Sequence, residues 1–241
     1  MKEFQTQVAR LLEIVEEKEN QTIQKVAKIL FDCFQQEGIV HVFATGHSHM
    51  FAEEMFYRAG GLVPINPILV PVLMQHEGAI RSTKMERLFG LAQTIYDSID
   101  KRKDEPFIIV SNSGINSVPV EMAEIAKKEG HTVIAVTSVE SSLSSLPRTN
   151  SHHRLCEVAD IVIDTHVPKG DGVMDYQGTK IGAVSSIIGS YIAQNIVLEV
   201  VKQYTEKGLT PPVYQSANTE GGDEHNQNLY KTYQKRIHSL Y

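Results

Sequence analysis

A chain of 241 residues, 41% hydrophobic and 22% charged, has an ordinary globular composition and length for one large domain or one domain with additions. Its formal net charge of −6 provides no general basic surface, which weighs against nucleic acid as a partner. The two cysteines, Cys33 and Cys156, give no Cys-x-x-Cys pair, no metal spacing and no disulfide framework. The expectation is a cytoplasmic protein with no metal and no cofactor.

The first residues carry acidic side chains throughout, unlike a signal or transit peptide. Phe4, Val8, Leu11, Leu12 and Val15, then Ile23, Val26, Ala27, Leu30 and Phe34, recur at helical spacing and stop at Gly38, so 1–37 reads as a helical segment. A short β-branched run, 39–44, follows as a strand; Gly46 then marks a turn and Ser48 is the expected N-cap of a helix. Between 62 and 104 lies a helical elaboration with Met85, Leu88, Phe89, Ala92, Ile95 and Tyr96 in register.

The strand–turn–helix unit repeats at 107–110, the turn SNSGINS and a helix through Glu121 and Lys128 to Gly130; further strands fall at 132–136 and 161–163. From Ile181 to Leu198 there is no charge, but Ser185, Ser186, Ser190, Gln194 and Asn195 are too polar for a lipid-facing span. That stretch predicts a helix over about 181–203, apolar on most of its circumference and covered by the protein or by a second copy, with Gly182 and Gly189 allowing close approach. A polar, Gly- and Pro-containing stretch and a last helix with Tyr230, Tyr233 and Ile237 fill 208–241, completing the site or a dimer.

Continuous apolar strands separated by helices imply a three-layer α/β/α sandwich around a central parallel sheet, with 38–207 as its core domain. Ligands of such sheets bind beyond the carboxyl ends of the strands. The loop Ser111-Asn112-Ser113-Gly114-Ile115-Asn116-Ser117 combines neutral donors with a helix N-terminus, an anion site built without Lys or Arg. Helix capping alone needs fewer donors. Thr45-Gly46-His47-Ser48-His49 occupies the same position after the first strand; His47 and His49 lack the further partner a metal site requires, and His152 and His153 read as surface-loop residues.

SNSGINS after FIIV, with ATGHSH after IVHV, resembles the SIS (sugar isomerase) phosphosugar-binding domain over about 38–195. The elaboration and the segment 178–183 resemble N-acetylmuramic acid 6-phosphate etherases most closely; phosphoheptose isomerases are also similar. The resemblance implies a flavodoxin-like topology, a homodimer or higher homo-oligomer, and a sugar phosphate ligand. It places Ser111, Ser113 and Asn116 on the phosphate, Asn112, Gly114 and Ser117 beside it, His47 and Ser48 on the sugar, and Thr137 and Ser138 on the same side. Arg58 stands near where those enzymes carry a catalytic Glu, and is spaced to pair with Glu54. Acid–base candidates therefore come from elsewhere: His76-Glu77, Glu86 near the etherases' second catalytic Glu, and Asp223-Glu224-His225 in a loop after Gly221-Gly222. His225 is expected to reach a neighbouring subunit's pocket and exchange protons there. The implied activity is isomerisation or a related acid–base reaction on a hexose or amino-sugar phosphate; the alternative is a phosphosugar sensor without chemistry.

Overall fold

In the computed structural model, which describes residues 2–240, the opening pattern is one unbroken helix, α1 (Lys2–Gln35). It ends where Glu37 turns left-handed and the amides of Gln36 and Gly38 both donate to the Cys33 carbonyl. Gly38 is needed there, because a Cβ would lie 2.6 Å from Cys33 Sγ.

The chain continues through β1 (Val40–Ala44), α2 (His49–Met55), β2 (Ile65–Ile68), α3 (Ala79–Met85), α4 (Leu91–Asp97), β3 (Phe107–Val110) and α5 (Ser117–Lys128). Then come β4 (Val133–Thr137), α6 (Val139–Leu143), α7 (Leu155–Val158), β5 (Ile161–Asp164), the hairpin β6 (Gly172–Tyr176) and β7 (Thr179–Ala183), α8 (Ser185–Glu206) and α9 (Gly222–Tyr233). Among the described residues β1 to β5 form one parallel sheet in the order β2-β1-β3-β4-β5, confirming the α/β sandwich. The order reverses between β1 and β3, so a crevice opens between their carboxyl ends.

The unbroken apolar runs serve both faces. Val40, Val42, Ile108, Val110, Ile134 and Val136 pack with α1, α2 and α8, whereas Phe43, Phe107, Ile109, Val133 and Ala135 pack with α4, α5 and α7. Helix α1 thus shares the core of the sheet domain.

Four local expectations change. The elaboration contributes an edge strand, β2, whose Pro67 is tolerated because the strand pairs on one side only. Its helical pattern divides into α3 and α4 at Gly90, which has φ +82°. Residues 181–183 are strand, not helix: Gln177 and Gly178 turn the hairpin and Gly182, at φ +71°, sits against the Phe4 ring of the same chain. Gly189 lies near Phe51, again within the chain. Helix α8 buries Ile188, Ile192, Ile196 and Val200, mainly against α1, and leaves Ile187 and Leu198 exposed, so the single chain covers part of its circumference. No helix among the described residues is long and apolar enough to cross a membrane.

The fourth change is at the C-terminus, where Asp223, Glu224, His225 and Asn226 form the start of α9 rather than a loop. Tyr214, Tyr233 and Ile237 pack on Ile39 and Val63, just before β1 and β2. This places α9 at the amino end of the sheet. Arg236 anchors it by a bidentate pair with Glu105, at 2.6 and 2.9 Å.

Candidate functional site

Strand β1 ends at Ala44, and Thr45, with an extended backbone, leads into Gly46 at φ +55° and a single 3-10 turn over Gly46–Ser48. Ser48 is itself helical and its side chain makes no cap bond, so it does not serve as the expected N-cap; its amide donates to the Thr45 carbonyl instead. Exposed His47 and half-buried Ser48 line a small cavity at the carboxyl ends of the strands, with Asn112, Thr165, Ser185 and Ser186.

The loop after β3 is shaped by Gly114. Its φ is +61°, and a Cβ would lie 2.7 Å from Thr137 Oγ1 and 2.9 Å from Ser142 Oγ, so both backbone angle and space require glycine. The Gly114 amide donates to buried Ser111 Oγ at 3.2 Å. Ser113 is half-buried, and its hydroxyl has no hydrogen-bond partner among the described residues. Asn112 receives the Thr165 hydroxyl on its side-chain oxygen at 2.9 Å.

Other hydroxyls expected at the site hold the loop together. Ser117 is fully buried and donates to the carbonyls of Arg148 and Arg87. Ser138 donates to the Val167 carbonyl and caps α6, accepting from the Ser141 amide. Thr137 reaches the Asn112 carbonyl at 3.4 Å. These three side chains support the crevice from behind.

Glu86 joins the two loops. One carboxylate oxygen accepts from Thr45 Oγ1 at 2.8 Å and the other from Asn116 Nδ2 at 2.9 Å, while its own carbonyl accepts the Val118 amide at the start of α5. Burial pushes its pKa up; the Thr45 bond and the nearby guanidiniums of Arg87 and Arg148 oppose that rise. Asn116 in turn accepts from Arg148 Nη1 at 3.1 Å, so a continuous chain runs Thr45–Glu86–Asn116–Arg148 across the crevice.

The remaining acid–base candidates lie elsewhere. Glu77 is exposed and paired with Arg81, although neighbouring His76 approaches the His49 ring, with centroids 6.5 Å apart. Arg58 pairs with Glu54, as its spacing suggested. His225 bonds the Val213 carbonyl through its ring at 3.0 Å, and with Glu224 it sits on α9 at the other end of the sheet from this chain's loops. The sequence marks Thr45 only as part of its loop, with no role of its own, and does not single out Arg148. Thr45 directly precedes the marked glycine, but Arg148 lies in a stretch without periodicity. Beyond β5, His166 at φ +53° faces Glu19 and Asp164 at 3.0 and 3.4 Å and ties α1 to the strand end. Among the described residues no cluster of His, Cys, Asp and Glu is arranged to hold a metal ion.

A family model described as SIS domain matches residues 3–138, which span β1, β3 and both loops at the crevice. The chain belongs to the SIS domain family. It is 42% identical to a UPF0309 protein of Geobacillus thermodenitrificans over 228 residues, covering 94% of this chain and 92% of that protein. A Listeria innocua UPF0309 protein is 40% identical, covering 95% and 93%. Among solved structures, a phosphoheptose isomerase from Francisella tularensis matches with a TM-score of 0.55 at 12% identity, over 83% of this chain and 96% of that one. The Vibrio vulnificus NanR protein complexed with ManNAc-6P matches with a TM-score of 0.51 at 12% identity, over 95% and 67%. These likenesses establish the SIS fold.

Proposed function

We propose that this SIS protein is a cytoplasmic phosphosugar-binding enzyme that carries out acid–base chemistry on a hexose or amino-sugar phosphate. The observation that carries this reading is Glu86, a half-buried carboxylate held by Thr45 and Asn116 between the two crevice loops. Ser111, Ser113 and Asn116, with the α5 N-terminus, hold the phosphate through neutral donors and the helix dipole, with Asn112 and Gly114 beside it. His47 and Ser48 face the sugar from the β1 side. Burial keeps Glu86 closer to the protonation midpoint at neutral pH than an ordinary Glu. As a carboxylate it takes a proton from the carbon next to the sugar carbonyl, leaving an enediolate; once the hydroxyl proton on that carbon has passed to the former carbonyl oxygen, Glu86 as the acid returns its proton to the former carbonyl carbon.

One observation favours binding without turnover. Arg58, paired with Glu54 and lying just beyond α2, stands near where the resembling enzymes carry a catalytic carboxylate on the helix after the first loop. Incubation with a panel of hexose and amino-sugar phosphates, followed by NMR, decides between the readings. Product formation abolished by Glu86→Gln supports the enzyme; binding without product across the panel supports the sensor. Replacing both Ser111 and Ser113 by Ala should weaken a phosphosugar by about tenfold or more and leave the unphosphorylated sugar unchanged. Equal weakening of both ligands removes the loop from phosphate recognition.

We also propose a homodimer or higher homo-oligomer. Ile187 and Leu198, three turns apart on one face of α8, are 40% and 62% exposed, and Tyr176 and Ile181 of the hairpin are similarly open. In such an assembly α9 of one subunit, with Glu224 and His225, is available to a neighbour's crevice. A monomer mass by light scattering at micromolar concentration would refute the assembly.

A further inference from the structure

The crevice contains a cation that neutral-donor recognition does not use. Arg58, Arg81, Arg154 and Arg236 each meet a carboxylate at ion-pair distance, whereas Arg148, like Arg10, Arg87 and Arg102, makes no ion pair among the described residues, and with Arg87 it acts on Glu86 only as a nearby charge. Its main chain is fixed: the amide donates to the Ile115 carbonyl at 2.8 Å, and the carbonyl accepts from Ser117 Oγ. This places the side chain beside the first turn of α5. Of its five guanidinium N–H groups, one nitrogen, Nη1, is engaged, on Asn116 Oδ1, and the residue is exposed at the rim. In a chain of net charge −6, an arginine with no carboxylate at ion-pair distance, held by its backbone next to the start of α5, is placed for an anionic ligand.

We infer that Arg148 is the charged contact for the ligand's phosphate, donating from the guanidinium N–H groups that Asn116 leaves open. The inference rests on the phosphosugar reading and adds to it a cation at the phosphate subsite. It also gives Asn116 a double part, as a neutral phosphate donor and as the link that aligns the guanidinium with Glu86. A phosphate dianion offers oxygens on the forked geometry an arginine matches and a lysine does not, so charge alone does not reproduce the contact.

The competing explanation is that Arg148 only orients Asn116. Titration of the full chain with inorganic phosphate, by calorimetry and phosphorus NMR, separates the two when Arg148→Met is made alone and together with Asn116→Ala. A direct contact predicts that Arg148→Met weakens phosphate by about tenfold or more in both backgrounds. Arg148→Lys should fall between wild type and Met, with melting temperatures close to wild type because the fixing bonds belong to the main chain. Loss confined to the background that retains Asn116 overturns the contact and leaves an orienting role. Phosphate affinity within twofold of wild type in Arg148→Met also overturns it, while leaving the phosphosugar reading intact. If the wild type binds neither phosphate nor any sugar phosphate of the panel, the phosphosugar reading fails and the Arg148 contact with it.

Discussion

Two carboxylates sit at opposite ends of the same sheet and are treated oppositely. Glu105, before β3 at the amino end, accepts from the amides of Ile39 and Arg102, from His41 Nε2 and twice from Arg236. Its side chain is 2% exposed, yet these donors outweigh the upward push of burial and hold its pKa well below the usual carboxylate range. Glu86, at the carboxyl end, has only the neutral donors of Thr45 and Asn116, and there burial prevails and raises its pKa. A fully satisfied carboxylate stays charged and fixes the fold. An under-supplied one retains a proton more readily, and perturbed groups of that kind in a crevice mark functional sites.

The largest effect tests the first half of this contrast. Glu105→Gln takes from Arg236 its buried charge partner, leaving only exposed Asp100 at 3.6 Å, and should cost about 3–5 kcal/mol in urea unfolding, the scale for breaking a buried pair. A loss below about 1 kcal/mol would mean that Glu105 does not anchor α9 to the sheet. The acid limb of stability follows from the same cluster. His41 is fully buried between Glu105 and Asn66, whose Nδ2 donates to Nδ1, so the ring is neutral with its proton on Nε2 toward Glu105. Burial lowers its pKa from 6.5. Both groups therefore have folded values below their unfolded ones. Their stabilisation is complete above about pH 6.5, and it is lost as pH falls, first because the unfolded histidine charges and then, below about 4.5, because unfolded Glu105 gains a proton. In Glu105→Gln the decline below pH 4.5 should be shallower than in wild type.

Gly114 sharpens the other half of the contrast, since the site end is set by backbone as much as by charge. Gly114→Ala meets a positive φ and two hydroxyls under 3 Å away, and should cost about 1–3 kcal/mol from the strain alone. Because Ser111 Oγ accepts the Gly114 amide, the variant should also lose phosphate binding. Unchanged melting and unchanged binding together would show that the loop accommodates a side chain and that its geometry is not what defines the subsite.

The two ends also differ in what the sequence reveals. The crevice loops were legible because strand runs, Gly46, Gly114 and clustered Ser and Asn are local signals of a turn at a strand end. Glu86 was one carboxylate among several on chemical grounds, since only the packing of the elaboration against α5 brings it to Asn116, thirty residues on. Arg148 gave no signal, because its role comes from a non-periodic stretch crossing the start of α5. At the amino end His41 was hidden inside an apolar run, and its partners Asn66, Glu105 and Arg236 are spread over most of the chain. Strand β2 gives no signal because four residues containing a proline carry too little pattern, and 181–183 resemble the helix that follows because lack of charge does not distinguish a hairpin from a buried helix.

The smallest effect is the most discriminating for Glu86. A carboxylate whose folded pKa is raised stabilises the fold below its unfolded value, near 4.5, and that contribution is lost as pH rises through the folded pKa. At pH 8 the protein therefore carries the cost of a charged, half-buried Glu86, and at pH 4 it does not. Glu86→Gln removes the charge while keeping a carbonyl oxygen to accept from Thr45 or Asn116, so it should stabilise the protein at pH 8 by about 1 kcal/mol or less, less at pH 6, and not at all at pH 4. A structural ion-pair role would give the reverse, a loss largest at high pH, since Arg148 and Arg87 would then lose a partner they attract. A gain in stability that grows with pH, together with loss of turnover or of ligand affinity, is the pattern of a group kept at a cost to the fold for what it does to a ligand.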